Sequence, residues 1–282
     1  MKPKIVVPTD FSESSLKGLD FAVQLAKKVG AKVMLHHIIE GFQDTRMYGN
    51  AQPSPEEKMM MNLMDIAAHK KMAEIVAPYQ DSGVEIEMTV DVGTVYASIE
   101  EKIAGDDVDL IVVGTRGHSK LDKKHLGSNS HKIIRNSKHP VIVVEGDIKL
   151  ENIKQIVFAS EFGEEPERVI RELNDWQEIT GAKVTLLKVN HPNFTMSHKD
   201  IEESLKDFAI HKHIKNYEIA IYTDIDPAHG IIHFAEKEGA GLIFVGTDFY
   251  RGLWERLWHR RTQVAEEVAT HTGIPVLSYQ PN

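Results

Sequence analysis

The residues best suited to chemistry are Gly114-Thr115-Arg116-Gly117 and, after nine intervening residues, Gly127-Ser128-Asn129-Ser130. Glycine lacks the Cβ that bars close approach and unusual dihedral angles, so Gly114, Gly117 and Gly127 suit a loop that turns sharply against a ligand. Ser128, read as the N-terminal cap of a following helix, joins Asn129 and Ser130 in offering N–H and hydroxyl donors at the positive end of a helix dipole. Such a loop cradles phosphate. Three to five charge-assisted contacts at about 1.5–3 kcal/mol each, offset by the ordering of ligand and loop, lead to an expected affinity that is roughly micromolar. Glycines that only cap a helix are the plain alternative.

Other reactive side chains are less organised. Arg116, His118, Lys120, Lys123, Lys124 and His125 form a basic run in an acidic chain, which either gathers around phosphates or stays a solvated loop. Asp10 ends the first strand as Pro8-Thr9-Asp10 and reads either as a ligand contact or as the cap of the next helix. His229 and His233 are four apart on an expected helix and share a face, whereas His211 and His213 point apart. No third ligand lies at useful spacing, so they read as ordinary histidines and no metal site is assigned. The chain has no cysteine, which removes thiolate metal sites and thiol nucleophiles. It has neither the Gly-x-x-x-x-Gly-Lys-Ser/Thr of phosphate-loop NTPases nor a Gly-x-Gly-x-x-Gly after its first strand. No catalytic residue is assigned.

The elements that must position these residues come as a repeat. Ile5-Val6-Val7-Pro8-Thr9-Asp10-Phe11 is echoed by Ile156-Val157-Phe158-Ala159-Ser160-Glu161-Phe162, and Gly30-Ala31-Lys32-Val33 by Gly181-Ala182-Lys183-Val184. Leu110-Ile111-Val112-Val113-Gly114-Thr115 matches Leu242-Ile243-Phe244-Val245-Gly246-Thr247, and His139-Pro140-Val141 is followed in kind by Gly273-Ile274-Pro275-Val276. Each copy alternates short β-branched runs with segments of helical period, the pattern of a doubly wound parallel sheet covered on both faces. Expected strands are Lys4–Val7, Val33–Ile38, Val84–Val90, Leu110–Val113 and Val141–Val144 in the first copy. In the second they are Ile153–Ala159, Val184–Val189, Tyr217–Tyr222, Leu242–Val245 and Pro275–Tyr279. Ser12–Val29 reads as an amphipathic helix stopped by Gly30. The polar stretch Glu145–Leu150 is the linker, giving domains 1–147 and 148–282. Gly41–Pro55 lacks periodicity and a counterpart in the second copy, and reads equally as a loop beside the site or a surface insertion.

The spacing Gly114-x-x-Gly117, nine residues, Gly127-Ser128 resembles the ATP-binding motif of the universal stress protein family at every fixed position, and both halves resemble that family in element order. The resemblance implies two tandem α/β domains of the adenine nucleotide α-hydrolase-like type, with parallel five-stranded sheets of strand order 3-2-1-4-5. It also implies ATP, with or without Mg²⁺, as cofactor. Ligands of such sheets lie at the carboxyl ends of the strands, where Pro8, Thr9 and Asp10 end the first. The resemblance makes Asp10 a candidate for the ribose or adenine region or for a metal-associated contact and lines the adenine pocket with Ile38 and Val113, while Gly114, Gly117, Gly127, Ser128, Asn129 and Ser130, with Arg116 of the basic run, face the phosphates. Family members pair through their fifth strands, so Val141–Val144 is expected beside Val276–Tyr279 as an intramolecular pseudo-dimer, with a homodimer of whole chains left open.

The second copy keeps Gly246 but has Phe249 in place of Gly117, Thr262-Gln263 in place of Gly127-Ser128, and Glu161 in place of Asp10. Its cradle is lost, and Leu253, Trp254, Leu257 and Trp258 suggest a helix with an apolar packing face. The function expected is therefore an ATP-binding regulatory protein of the stress response with one nucleotide site. A slow ATP-hydrolysing or adenylate-transferring enzyme and a scaffold with a vestigial site are the alternatives. A net charge of −9 argues against broad binding to nucleic acid or anionic lipid. The absence of a bilayer-length apolar run and of signal-peptide features at the start leads to an expected cytoplasmic location.

Overall fold

A computed structural model describes residues 2–40, 54–93, 108–115, 127–193, 197–246 and 263–280. The chain divides into two compact units, Met1–Gly114 and Thr115–Asn282.

The first unit contains β1 (Lys4–Thr9), α1 (Glu13–Val29), β2 (Lys32–Ile39), α2 (Pro55–Val76), a 3-10 turn (Ala77–Ser82), β3 (Ile86–Val92) and β4 (Leu110–Thr115). Its strands run parallel in the order β3-β2-β1-β4. Val6 stands opposite Met34 on one side and Ile111 on the other. Continuous apolar runs such as Ile5-Val6-Val7 and Leu110–Val113 are buried on both faces, as parallel strands under helices require. On α1 the buried face is Leu19, Phe21, Ala22, Val23, Leu25 and Ala26. Ser12 caps its start, and Gly30 ends it at a left-handed φ of 72°, a conformation that glycine adopts without a Cβ clash.

The segment expected to be irregular up to Pro55 ends one residue earlier. Ser54 accepts from Glu57 N at 3.2 Å and Glu57 Oε2 accepts from Ser54 N at 2.7 Å, a capping box with Pro55 in the first helical turn. Proline is tolerated there because that N–H has no helical partner.

The second unit contains α3 (Ser128–Asn136), β5 (Val141–Glu145), a 3-10 turn (Leu150–Asn152), β6 (Gln155–Ala159), α4 (Glu167–Thr180), β7 (Lys183–Asn190), α5 (His198–His211), β8 (Tyr217–Thr223), α6 (Pro227–Glu238), β9 (Leu242–Val245), α7 (Gln263–His271) and β10 (Val276–Ser278). The parallel run β8-β7-β6-β9-β10 repeats the 3-2-1-4-5 order in the second copy. β5 adds antiparallel to β10, with Val143 opposite Val276, Ile142 opposite Leu277 and Val141 opposite Ser278. This pairing covers the strand edge that each fifth strand would otherwise leave open. Ile153 is buried but precedes β6, because Leu150–Asn152 turns first and leaves the strand to begin at Gln155.

Candidate functional site

At the end of β1 the chain turns directly into α1, and side chains close to the turn hold it. Thr9 Oγ1 accepts the Phe11 N–H at 3.0 Å and shares a hydrogen bond with Ser15 Oγ at 2.9 Å. Asp10 Oδ1 accepts the Ser12 N–H at 3.0 Å. The turn forces Phe11 to a left-handed φ of 64°, which is uncommon for a bulky residue and marks a conformation imposed by its surroundings. Burial pushes the Asp10 carboxyl up, but hydrogen bonds from Ser12 and Ser15 outweigh it and hold the group below the usual carboxylate range. Asp10 is therefore ionised at neutral pH. It is not the helix cap: Ser12 holds that position, accepting from Ser15 N at 3.3 Å, and Asp10 braces the turn before it.

Pro8, Thr9 and Asp10 thus meet Ile38, Val113 and Gly114 at the carboxyl ends of three adjacent strands, with Pro8 opposite His36 and Thr9 opposite His37. Gly114 meets a packing requirement that its sequence context does not reveal. Its φ is not in the left-handed range, and a Cβ on it would overlap the Ser14 carbonyl oxygen and lie 2.7 Å from the Ser14 carbonyl carbon. From the other side, a Cβ on Gly18 would lie 2.9 Å from Gly114 N. The two glycines let the first turns of α1 rest directly on the backbone of β4. Close packing of α1 on β4 by itself requires a glycine at position 114.

In the second unit Gly127 is itself the N-cap of α3, so Ser128 is the first helical residue rather than the cap. Gly127 has an ordinary φ of −59°, and among the described residues a Cβ there would meet only Ser130 Oγ at 3.7 Å. The backbone conformation does not need glycine at this point. Asn129 is half-buried and Ser130 buried. His131 Nδ1 lies 2.5 Å from Glu266 Oε1 and ties α3 to α7. Arg116, Gly117 and the rest of the basic run to His125 lie outside the described residues, as do Phe249, Thr262 and the segment Leu253–Trp258.

The structure adds a cleft that the sequence reading did not assign. A cavity of about 340 Å³ opens between the end of β2 and the inner face of α2, lined by Phe11, His37, Ile38, Glu40, Ala68 and Lys71 among others. The Phe11 ring stacks on His37 at 4.1 Å between centroids, and Lys71 Nζ sits 4.7 Å from the Phe11 centroid. His37 Nδ1 lies 2.8 Å from the Thr9 carbonyl oxygen. That oxygen can only accept, so Nδ1 carries the proton. The volume lies at the lower end for small-molecule pockets, and the walls combine aromatic faces with a few polar atoms. Strand alternation separates buried His36 from half-exposed His37 and was the available clue. The left-handed Phe11 that completes the wall had none.

The corresponding turn of the second copy is built alike and then filled. Phe162 repeats the left-handed φ at 58°, and Ser160 Oγ accepts its N–H at 2.9 Å. Ser160 Oγ also donates to Glu165 Oε1 at 2.5 Å, with both residues buried. The Glu165 carboxylate occupies the space where a Cβ on Gly246 would project. Glu161 pairs with Lys188, and Phe162 packs edge-on against Phe208 of α5 at 5.1 Å. His233 Nδ1 is 3.2 Å from Asp224 Oδ2, and no group of three metal-ligating side chains occurs among the described residues.

The universal stress protein family model matches residues 1–145. The chain belongs to the universal stress protein family. Among universal stress proteins of known sequence, YxiE of Bacillus subtilis is 32% identical over 144 residues, covering 50% of this chain and 97% of the relative. Universal stress protein MJ0531 of Methanocaldococcus jannaschii is 28% identical over 142 residues, covering 50% of this chain and 81% of the relative. Over the whole chain, the fold is similar to a crystal structure of a universal stress protein from Archaeoglobus fulgidus, with a TM-score of 0.76 at 20% identity, covering 99% of this chain and 98% of that one. A protein of the same kind from Pseudomonas aeruginosa follows at a TM-score of 0.65, with 16% identity and coverage of 99% and 94%. Single-domain relatives thus match one half of this universal stress protein, and the tandem fold has solved counterparts. Among the described residues no helix is long and apolar enough to cross a membrane.

Proposed function

We propose that this universal stress protein is a cytoplasmic ATP-binding regulatory module with one nucleotide site, on the sequence domain 1–147. Gly114, Arg116, Gly117 and Gly127–Ser130 would hold the phosphates. Pro8, Thr9, Asp10, Ile38 and Val113, with the cleft wall of Phe11 and His37, would hold the nucleoside. The observation that carries this reading is the start of α3. Gly127 caps a helix whose first-turn N–H groups stand at the spacing that the family motif requires, and among the described residues a Cβ on Gly127 would meet only Ser130 Oγ. Domain 148–282, whose turn is closed by Glu165, would act as the partner copy of an intramolecular pseudo-dimer, a role supported by the β5–β10 pairing.

Gly127→Val tests the reading. Its added methyl groups project beside the first-turn N–H groups of α3, and a φ of −59° suits valine, so the fold should survive. ATP affinity by calorimetry should fall at least about 100-fold, equivalent to losing one or two charge-assisted contacts, with the circular dichroism spectrum unchanged. Undiminished affinity would overturn the assignment.

Regulation by occupancy, rather than turnover, is the chemistry supported. The Asp10 carboxylate is committed to the turn at Ser12, and no positioned base or water-orienting group accompanies it among the described residues. With or without Mg²⁺, hydrolysis should stay below about 1 s⁻¹, the bottom of the ordinary enzyme range. Faster Mg²⁺-dependent release of phosphate that disappears in Asp10→Ala would favour the hydrolase alternative.

A further inference from the structure

The first four turns of α2 are apolar on the side away from the core. Ala68 and Met72 are its buried residues, yet Met59, Met60, Leu63 and Ile66 are 56–69% exposed. At 3.6 residues per turn, Glu56, Met59, Met60, Leu63, Ile66, Ala67 and Lys70 fall within about 60° of Leu63 and form one stripe, opposite the buried face. A helix that is apolar on both sides needs a second covering surface, and methionine-rich faces suit protein contacts.

The order of residues in the stripe identifies the cover. About Leu63 it is nearly palindromic: Met59 and Ala67 lie four residues to either side, Met60 and Ile66 three, and Glu56 and Lys70 seven. Two copies packed antiparallel about a two-fold axis through Leu63 would bring Met60 of each against Ile66 of the other. The same operation places each Glu56 against the other chain's Lys70. Neither residue has an ion pair among the described residues. A two-fold contact is self-complementary by construction, which this stripe satisfies in both apolar pattern and charge.

We infer that α2 is a homodimerisation surface, in which the Glu56–Lys70 stripe of one chain packs antiparallel on that of a second copy. This contact does not rest on the nucleotide reading, although Ala67 of the stripe also lines the cleft at the end of β2. The stripe is about 21 Å long and about 10 Å wide, a footprint of roughly 200 Å² per chain, which is in the range of weak, transient contacts, and a dimer dissociating at tens of micromolar is expected.

Sedimentation velocity on the full chain from about 1 to 200 µM, the range that brackets such a constant, provides the test. The wild type should convert from monomer to dimer across it. Leu63→Glu sets two carboxylates face to face on the axis and should leave only monomer, with an unchanged melting temperature because the residue is 62% exposed. Glu56→Lys and Lys70→Glu should each weaken association about tenfold, since the two-fold repeats every loss, and the double reversal should restore it. A wild type that stays monomeric would mean that something else covers the stripe and would overturn the inference. So would a dimer that persists in Leu63→Glu, or a double reversal that fails to recover.

Discussion

Gly114→Ala should destabilise the first unit severely, although the side chain gained is a single methyl. The Cβ would overlap the Ser14 carbonyl oxygen and crowd the Ser14 carbonyl carbon at 2.7 Å and Ser15 Cα at 3.0 Å. All three are backbone atoms at the capped start of α1, so no rotamer change relieves the overlap. The helix start must move, and with it the Ser12 cap and the Thr9–Ser15 hydrogen bond that hold the turn at Asp10. Overpacking of this kind costs about 3 kcal/mol or more, which for a unit of this size lowers the melting temperature by roughly 10 °C. Gly18→Ala is the informative comparison. Its Cβ would approach Gly114 N at 2.9 Å, a milder conflict, while alanine recovers up to about 1 kcal/mol of helix propensity. Thermal unfolding should therefore rank Gly114→Ala well below Gly18→Ala, and equal melting temperatures would show that α1 does not bear directly on β4.

The repeat made the larger architecture legible. Ile5–Phe11 and Ile156–Phe162 share a pattern because both must run as a buried strand into the same tight turn, and the structure repeats that turn down to the left-handed phenylalanine. The fifth-strand pairing followed from the resemblance to the family, and edge chemistry agrees with it, since pairing Val141–Val144 with Val276–Tyr279 covers two strand edges. Roles inside the turn were less legible, because they depend on what lies across space. Nothing local distinguishes Gly114, fixed by a helix nearly a hundred residues earlier in the chain, from Gly127, which meets no backbone atom so closely among the described residues. Asp10 and Ser12 are both good caps by type, and only the path of the chain assigns the cap to Ser12. Lys71 and His37 meet Phe11 through tertiary packing of α2 on β2, a contact that no sequence spacing encodes.

One ATP per chain, not two, is the expected stoichiometry, despite the shared ancestry of the copies. The second copy has bulky or polar residues in place of both later glycines, and its turn presents a carboxylate where phosphate would need donors. Glu165 is 2% exposed and held by Ser160, so it cannot swing into solvent without leaving a buried hydroxyl unpaired. Phe208 packs against Phe162, the residue whose counterpart Phe11 borders the cleft of the first copy. Losing two or more charge-assisted contacts at about 1.5–3 kcal/mol each moves a micromolar site to millimolar or weaker, since each 1.4 kcal/mol is tenfold. Titration calorimetry on the full chain should accordingly return a stoichiometry near one, falling to no measurable binding in Gly127→Val. The intact chain is the right material, because separating the copies would strip β5 from β10 and expose two strand edges. A stoichiometry of two would locate a second site in a turn where a buried carboxylate stands against the phosphates.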